Sequence, residues 1–116
     1  MSFLKTNKCE LKVKMWLEKD GQTVFGQGRK VLLQKIDQLG SLNKAAKEMG
    51  MSYRTAWGKI KDTEDRLNTK LIDSHIGGVS GGGATLTKEA KQLIKSYDIF
   101  CKKAKKKLEA EYKKIK

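Results

Sequence analysis

Arg54, with Thr55 beside it and Lys59 and Lys61 close behind, brings together side chains that recognise a polyanion. A guanidinium forks onto the edge of a guanine, hydroxyl groups donate to phosphate oxygens, and an ammonium group meets a phosphate as a point charge. If these residues share one helix, Arg54 is the candidate base reader, and helix geometry makes Lys59 and Lys61 the candidate phosphate contacts. His75, Gly78 and Ser80 belong to or flank a glycine cluster running from Gly77 to Gly83, where a hairpin tip could touch the same polyanion.

Other chemistries lack their residues. The glycine cluster is followed by Ala84-Thr85-Leu86, not by the lysine and hydroxyl residue that complete a phosphate loop. Gly26 and Gly28 precede a helical stretch, but Val31 stands where a dinucleotide fingerprint needs its third glycine. Cys9 and Cys101 lie far apart, no CxxC occurs and His75 is the single histidine, so neither a zinc site nor a disulfide framework is suggested. The acidic group Asp62, Glu64 and Asp65 has no opposing acid or base and reads as a solvated helix face. The expectation is a protein that is not an enzyme, with no cofactor, no catalytic residue and no metal site.

The elements that would position these residues follow from periodicity. From Glu10 to Glu18, Leu11, Val13, Met15 and Leu17 alternate with Lys12, Lys14 and Trp16, which predicts a half-buried strand. Asp20-Gly21 is a hairpin turn signal, and Thr23-Val24-Phe25 form the returning strand. From Arg29 the spacing of Val31, Leu32, Leu33, Ile36 and Leu39 is helical, and Gly40 is placed to end that helix. Ser41 caps a second helix with Leu42, Ala45, Ala46 and Met49 inward and Gly50 at its end. Ser52 caps a third, whose inner face is Ala56, Ile60, Thr63 and Leu67, with Met51 as a staple on Ala56. Tyr53, Trp57 and Lys61 run along one flank of it, and Trp57 is read as a core side chain more than as a base reader.

Leu71 and Ile72 enter the glycine-rich tip and Ala84-Thr85-Leu86 return from it. Thr87 caps a long last helix in which Ala90, Ile94, Tyr97, Cys101, Ala104 and Leu108 recur at steps of four and three, a seam for a partner helix. The fold class is α+β, mainly α. It is one winged helix-turn-helix domain over residues 1–116: an N-terminal hairpin in 1–27, a three-helix core in 28–67 with the recognition helix at 52–67, a wing in 68–86 and a dimerisation helix in 87–116.

Charge supports a polyanionic partner. Among 116 residues, 26 Lys and Arg face 13 Asp and Glu, a formal +13. Divided along the chain, residues 1–40 carry +4, residues 41–86 carry +2 and residues 87–116 carry +7. The stretch expected to read the polyanion is thus the least charged, and the excess on the last helix measures nonspecific attraction. No apolar run is long enough for a membrane span and no signal peptide is recognised, so the expected setting is cytoplasmic, without a membrane partner.

Four stretches resemble one family. Gly28-Arg29-Lys30-Val31-Leu32-Leu33, Gly40-Ser41-Leu42-Asn43-Lys44-Ala45-Ala46-Lys47, Met51-Ser52-Tyr53-Arg54-Thr55-Ala56-Trp57, and Gly77-Gly78 followed by Gly81-Gly82-Gly83-Ala84-Thr85-Leu86-Thr87 look like the DNA-binding domain of ModE-type molybdate-responsive bacterial regulators. The run from Gly40 to Leu71 is similar, more loosely, to the winged helix of LysR-type regulators. The resemblance implies that Ser52, Tyr53, Arg54 and Thr55 open a recognition helix and that Gly77 to Gly83 tip a wing. It also implies a homodimer on double-stranded DNA, paired largely through the last helix, which agrees with a seam of Ile94, Tyr97, Cys101, Ala104 and Leu108. Family members that sense molybdate carry a C-terminal oxyanion-binding region. This sequence stops at Lys116 within the lysine-rich helix, so direct molybdate binding is not expected. Two other readings stay open: an architectural or nonspecific nucleic-acid binder driven by the last helix, and a module whose seam recruits another protein.

Overall fold

The computed structural model describes residues 8–75 and 83–115; for His75 it describes the backbone alone. In chain order the elements are β1 (Trp16–Lys19), β2 (Gln22–Gly26), α1 (Gln27–Leu39), α2 (Leu42–Glu48), α3 (Tyr53–Leu67), β3 (Ile72–His75), β4 (Gly83–Leu86) and α4 (Lys88–Lys113). They form two compact units. One is Trp16–Ile94; in the other the described residues are 8–15 and 95–115.

In the first unit, β1 and β2 pair antiparallel around Asp20 and Gly21, whose φ angles of 52° and 78° suit the two-residue turn that matches strand twist. The strand begins at Trp16, not Glu10, and all four of its residues are exposed, so it is not the half-buried strand that the alternation predicts. Only β2 turns inward, burying Val24 and Phe25.

The helix ends follow local chemistry. Gly40 adopts φ 69° and its amide donates to the Ile36 carbonyl at 2.8 Å, closing α1 with the left-handed residue that glycine provides without strain. Ser41 Oγ accepts from the Lys44 amide at 3.1 Å, and Ser52 Oγ accepts from the Thr55 amide at 3.0 Å, capping α2 and α3. Leu32, Leu33 and Ile36 of α1, Leu42, Ala45 and Ala46 of α2, and Ala56, Ile60 and Thr63 of α3 fill the core with Phe25 and Leu71. Leu67 departs from the inner face expected of it. It is the last residue of α3, the chain turns away at Asn68 in the left-handed conformation, and its side chain is left exposed.

A buried polar knot ties β2 to the helices. The Thr63 hydroxyl donates to the Val24 carbonyl at 2.5 Å, Arg29 Nη1 donates to the Thr23 carbonyl at 2.6 Å and the Val24 carbonyl at 3.2 Å, and Arg66 donates to the same Thr23 carbonyl. Burial and then the neighbouring Arg66 charge lower the pKa of Arg29 from its ordinary value, while Asp62 pulls it back up. Five donors on a planar fork let one guanidinium satisfy carbonyls from two consecutive residues.

The second hairpin, β3 with β4, pairs Ile72 with Leu86 and His75 with Gly83. Three contacts anchor its base. Glu64 Oε2 accepts from the amides of Leu71 at 2.7 Å and Ile72 at 3.3 Å. The Thr87 hydroxyl donates to the Lys70 carbonyl at 2.8 Å and accepts from the Ala90 amide at 3.1 Å, which also caps α4. Ala84 donates its amide to the Gly40 carbonyl at 3.0 Å.

In the second unit two tyrosines of α4, of which Tyr97 belongs to the expected seam, bond the backbone of residues 9 and 15. The Tyr97 hydroxyl donates to the Met15 carbonyl and the Tyr112 hydroxyl to the Cys9 carbonyl, both at 2.7 Å. Tyr97 is buried, Cys101 and Ala104 are half-buried, and Leu108, Ile99 and Phe100 are exposed.

Candidate nucleic-acid interface

The interface is built on α2, the turn from Met49 to Ser52, and α3. The small side chains of Ala45 and Ala46, both buried, let α2 lie close to α3. Gly50 takes φ 70° in the turn, while the Met51 amide returns to the Ala46 carbonyl at 3.0 Å. That geometry frees the first turn of α3 to project outward, and the Ser52 hydroxyl fixes it by bonding Thr55 Oγ1 at 3.0 Å as well as the Thr55 amide.

With 3.6 residues per turn, Arg54, Gly58, Lys61 and Asp65 follow one another along the side of α3 opposite Ala56, Ile60 and Thr63. Tyr53, Arg54 and Thr55 are exposed. A side chain at Gly58 would meet no other atom within 4 Å, so the helix surface is open there. Further along the outward side, Asp62 and Asp65 repel phosphates, so the end of α3 suited to enter a groove is its first two turns.

Trp57 is 46% exposed, against the expectation of a core side chain. Ala56 and Ile60 occupy the inward positions at that level, and Trp57 lies a quarter turn away with Lys61 one turn further on. The Lys61 ammonium sits 5.8 Å from the centre of the indole ring and within 3.7 Å of Glu64 and 3.9 Å of Asp65. Lys59 is half-buried, between the outward row and the core. The row Trp57, Lys61 and Glu64 forms one wall of a groove of about 190 Å³, whose other side is Lys70, Ile72 and Ser74 on the way into the hairpin. Sequence reasoning did not single out Lys70 or Ser74; the i, i+4, i+7 spacing of Trp57, Lys61 and Glu64 was the signal for a second face on α3.

Of the remaining candidate contacts, His75 is the last residue of β3 and its backbone pairs with Gly83, while Gly78 and Ser80 lie outside the described residues. Among the described residues no three His, Cys, Asp or Glu side chains are grouped to hold a metal ion, and no helix is long and apolar enough to cross a membrane.

Residues 31–91 match the family of bacterial regulatory helix-turn-helix proteins, lysR family. The chain is 38% identical over 80 residues to the transcriptional regulator ModE of Yersinia pestis, covering 68% of this chain and 30% of that protein. It is 37% identical over 81 residues to the molybdenum-pterin-binding protein MopB of Rhodobacter capsulatus, covering 70% of this chain and 30% of that one. The chain thus spans less than a third of the length of these curated relatives. Among solved structures, ArgP from Mycobacterium tuberculosis shares the fold over 75% of this chain and 30% of its own, with a TM-score of 0.50 at 20% identity.

Proposed function

The chain belongs to the lysR family of bacterial regulatory helix-turn-helix proteins, DNA-binding transcriptional regulators and not enzymes, and from that premise we propose that it reads a specific duplex sequence as a homodimer. The observation that carries the reading is the first turn of α3. Arg54 stands exposed there on a helix capped by Ser52, and among the described residues it forms no ion pair. A major groove admits such a helix, and an uncommitted guanidinium forks onto the O6 and N7 acceptors of guanine. Ser52, Tyr53 and Thr55 flank that contact, Lys59 and Lys61 meet phosphates, and the hairpin with His75, Gly78 and Ser80 follows the adjacent backbone. The second copy pairs along α4 through Ile94, Tyr97, Cys101, Ala104 and Leu108, where exposed Leu108 and the nearby Phe100 offer apolar surface. The ligand of these residues is DNA, in a cytoplasmic setting.

Selection from a random duplex pool tests specificity and symmetry together. A two-fold symmetric consensus with half-sites one helical turn apart, or a multiple of it, is expected; an unenriched pool refutes the reading. On the selected duplex Arg54→Ala should cost roughly 1–3 kcal/mol while changing random-duplex binding little.

A second reading, nonspecific binding driven by α4, draws on the exposed lysines Lys102, Lys103, Lys105, Lys106 and Lys107. It predicts that replacing these five by glutamine abolishes binding to every duplex, whereas the first reading predicts weaker binding with sequence preference retained.

A further inference from the structure

We propose that the groove between α3 and β3 is a seat for one backbone phosphate of duplex DNA, held by Lys70, Lys61 and Ser74 against the indole wall of Trp57. The inference rests on the proposed DNA-binding function and deepens it.

A helix lying in the major groove and a hairpin reaching the neighbouring minor groove cannot both contact a duplex unless the sugar-phosphate strand dividing those grooves passes between them. On this protein the space between the two elements is the groove of about 190 Å³ lined by Trp57, Lys61, Glu64, Lys70, Ile72 and Ser74. Two ammonium groups and a hydroxyl supply donors for phosphate oxygens, and the half-exposed indole offers an apolar face to deoxyribose.

The carboxylates nearby do not cancel this. Glu64 directs Oε2 at the amides of Leu71 and Ile72, at 2.7 and 3.3 Å, so its charge is engaged with the hairpin base. Lys70 meets Asp73 only at 3.9 Å with its side chain 72% exposed, and the pairs of Lys61 with Glu64 and Asp65 are as long. Glu64, with its side chain 11% exposed, is nearly buried and its 3.7 Å contact with Lys61 is not a surface pair. The exposed pairs of Lys70 with Asp73 and of Lys61 with Asp65 contribute about 0–1 kcal/mol. A phosphate competes with them readily.

The test uses the full chain, its selected duplex, and versions of that duplex in which single phosphates are replaced in turn by neutral methylphosphonate. Binding of wild type, Lys70→Gln, Ser74→Ala and Lys70→Arg is measured between 50 and 200 mM salt. Each phosphate contact steepens the salt dependence by about 0.9 in the log–log slope, which is roughly 3.5-fold in affinity over that range. Lys70→Gln is expected to lose that share of the salt dependence on selected and random duplexes alike, and Lys70→Arg to keep it. One methylphosphonate, at the strand between the major and minor grooves, should weaken wild type but have no further effect on Lys70→Gln. Wild type that binds with Lys70→Gln indistinguishable from it, or losses that add at every phosphate, overturns the seat while leaving the DNA-binding reading intact. Wild type that binds no duplex overturns both.

Discussion

Glu64 is the anchor that ties the base of the hairpin to α3 through two amides, and its removal has a cost that can be worked out bond by bond. One oxygen, Oε2, accepts both the Leu71 amide at 2.7 Å and the Ile72 amide at 3.3 Å. Leu71 and Ile72 are both buried, so water cannot replace the lost acceptor easily. An unsatisfied buried donor costs about 1–3 kcal/mol, and the longer bond counts at the low end, so Glu64→Ala should destabilise by about 2–4 kcal/mol. Glu64→Gln keeps an oxygen where Oε2 stands. It loses only the advantage of a charged acceptor, about 1 kcal/mol. At about 4 °C per kcal/mol for a domain of this size, the alanine variant should melt roughly 8–16 °C below wild type and the glutamine variant about 4 °C below. Urea unfolding followed by tryptophan fluorescence and thermal melts followed by circular dichroism measure the two gaps. Equal destabilisation by Ala and Gln, or an alanine variant within about 0.5 kcal/mol of wild type, would refute the argument that these two amides hold the hairpin base.

A side chain at Gly83 would crowd the junction of β4 with the end of α1: a Cβ there would lie 3.2 Å from the Gly40 carbonyl, which also accepts the Ala84 amide and so has little room to give. Gly83→Ala is expected to lower stability by about 1–3 kcal/mol in the same melts. Tyr97 gives a pH signature. Burial first, then its hydrogen bond to Cys101 and the charges of Cys101 and Asp98, push its phenol up from 10.0 to about 12. The neutral phenol is therefore favoured in the folded state, its contribution is complete below pH 10, and it is lost as pH rises through 12. Urea midpoints taken across that window should fall more steeply for wild type than for Tyr97→Phe.

Helix boundaries were legible in the sequence because they are decided within a few residues. Ser41, Ser52 and Thr87 cap, and Gly40 stops, by contacts to neighbours no more than four positions away. Arg54 was placed on an outward face by the same short-range logic. What the pattern could not carry is long-range pairing: Thr63 with Val24 across 39 positions, Arg66 with Thr23 across 43, and Thr87 with the Lys70 carbonyl across 17. Trp57 shows the limit most clearly. It is expected in the core, yet the inward positions of α3 are filled by Ala56 and Ile60, and a large aromatic a quarter turn off that line faces the groove beside β3.

The alternation from Leu11 to Leu17 does not become one covered side: Leu11 and Met15 are half-buried, whereas Val13 and Leu17 are exposed. A period of two marks an extended segment with one apolar side, and it does not say whether a strand or a helix covers that side. Here Cys9 and Met15 are joined to Tyr112 and Tyr97. Six residues of chain reach at most about 20–22 Å, and fifteen residues of helix rise about 22 Å, so the segment runs antiparallel along α4 at nearly its full length. Of the seam residues, Tyr97 bonds this segment, through the Met15 carbonyl, while Leu108 stays exposed. A second copy that packed on Tyr97 would compete with the segment at the Met15 carbonyl, and one that reached Tyr112 would compete at the Cys9 carbonyl. One that approached Phe100, which is 57% exposed, would leave both bonds in place.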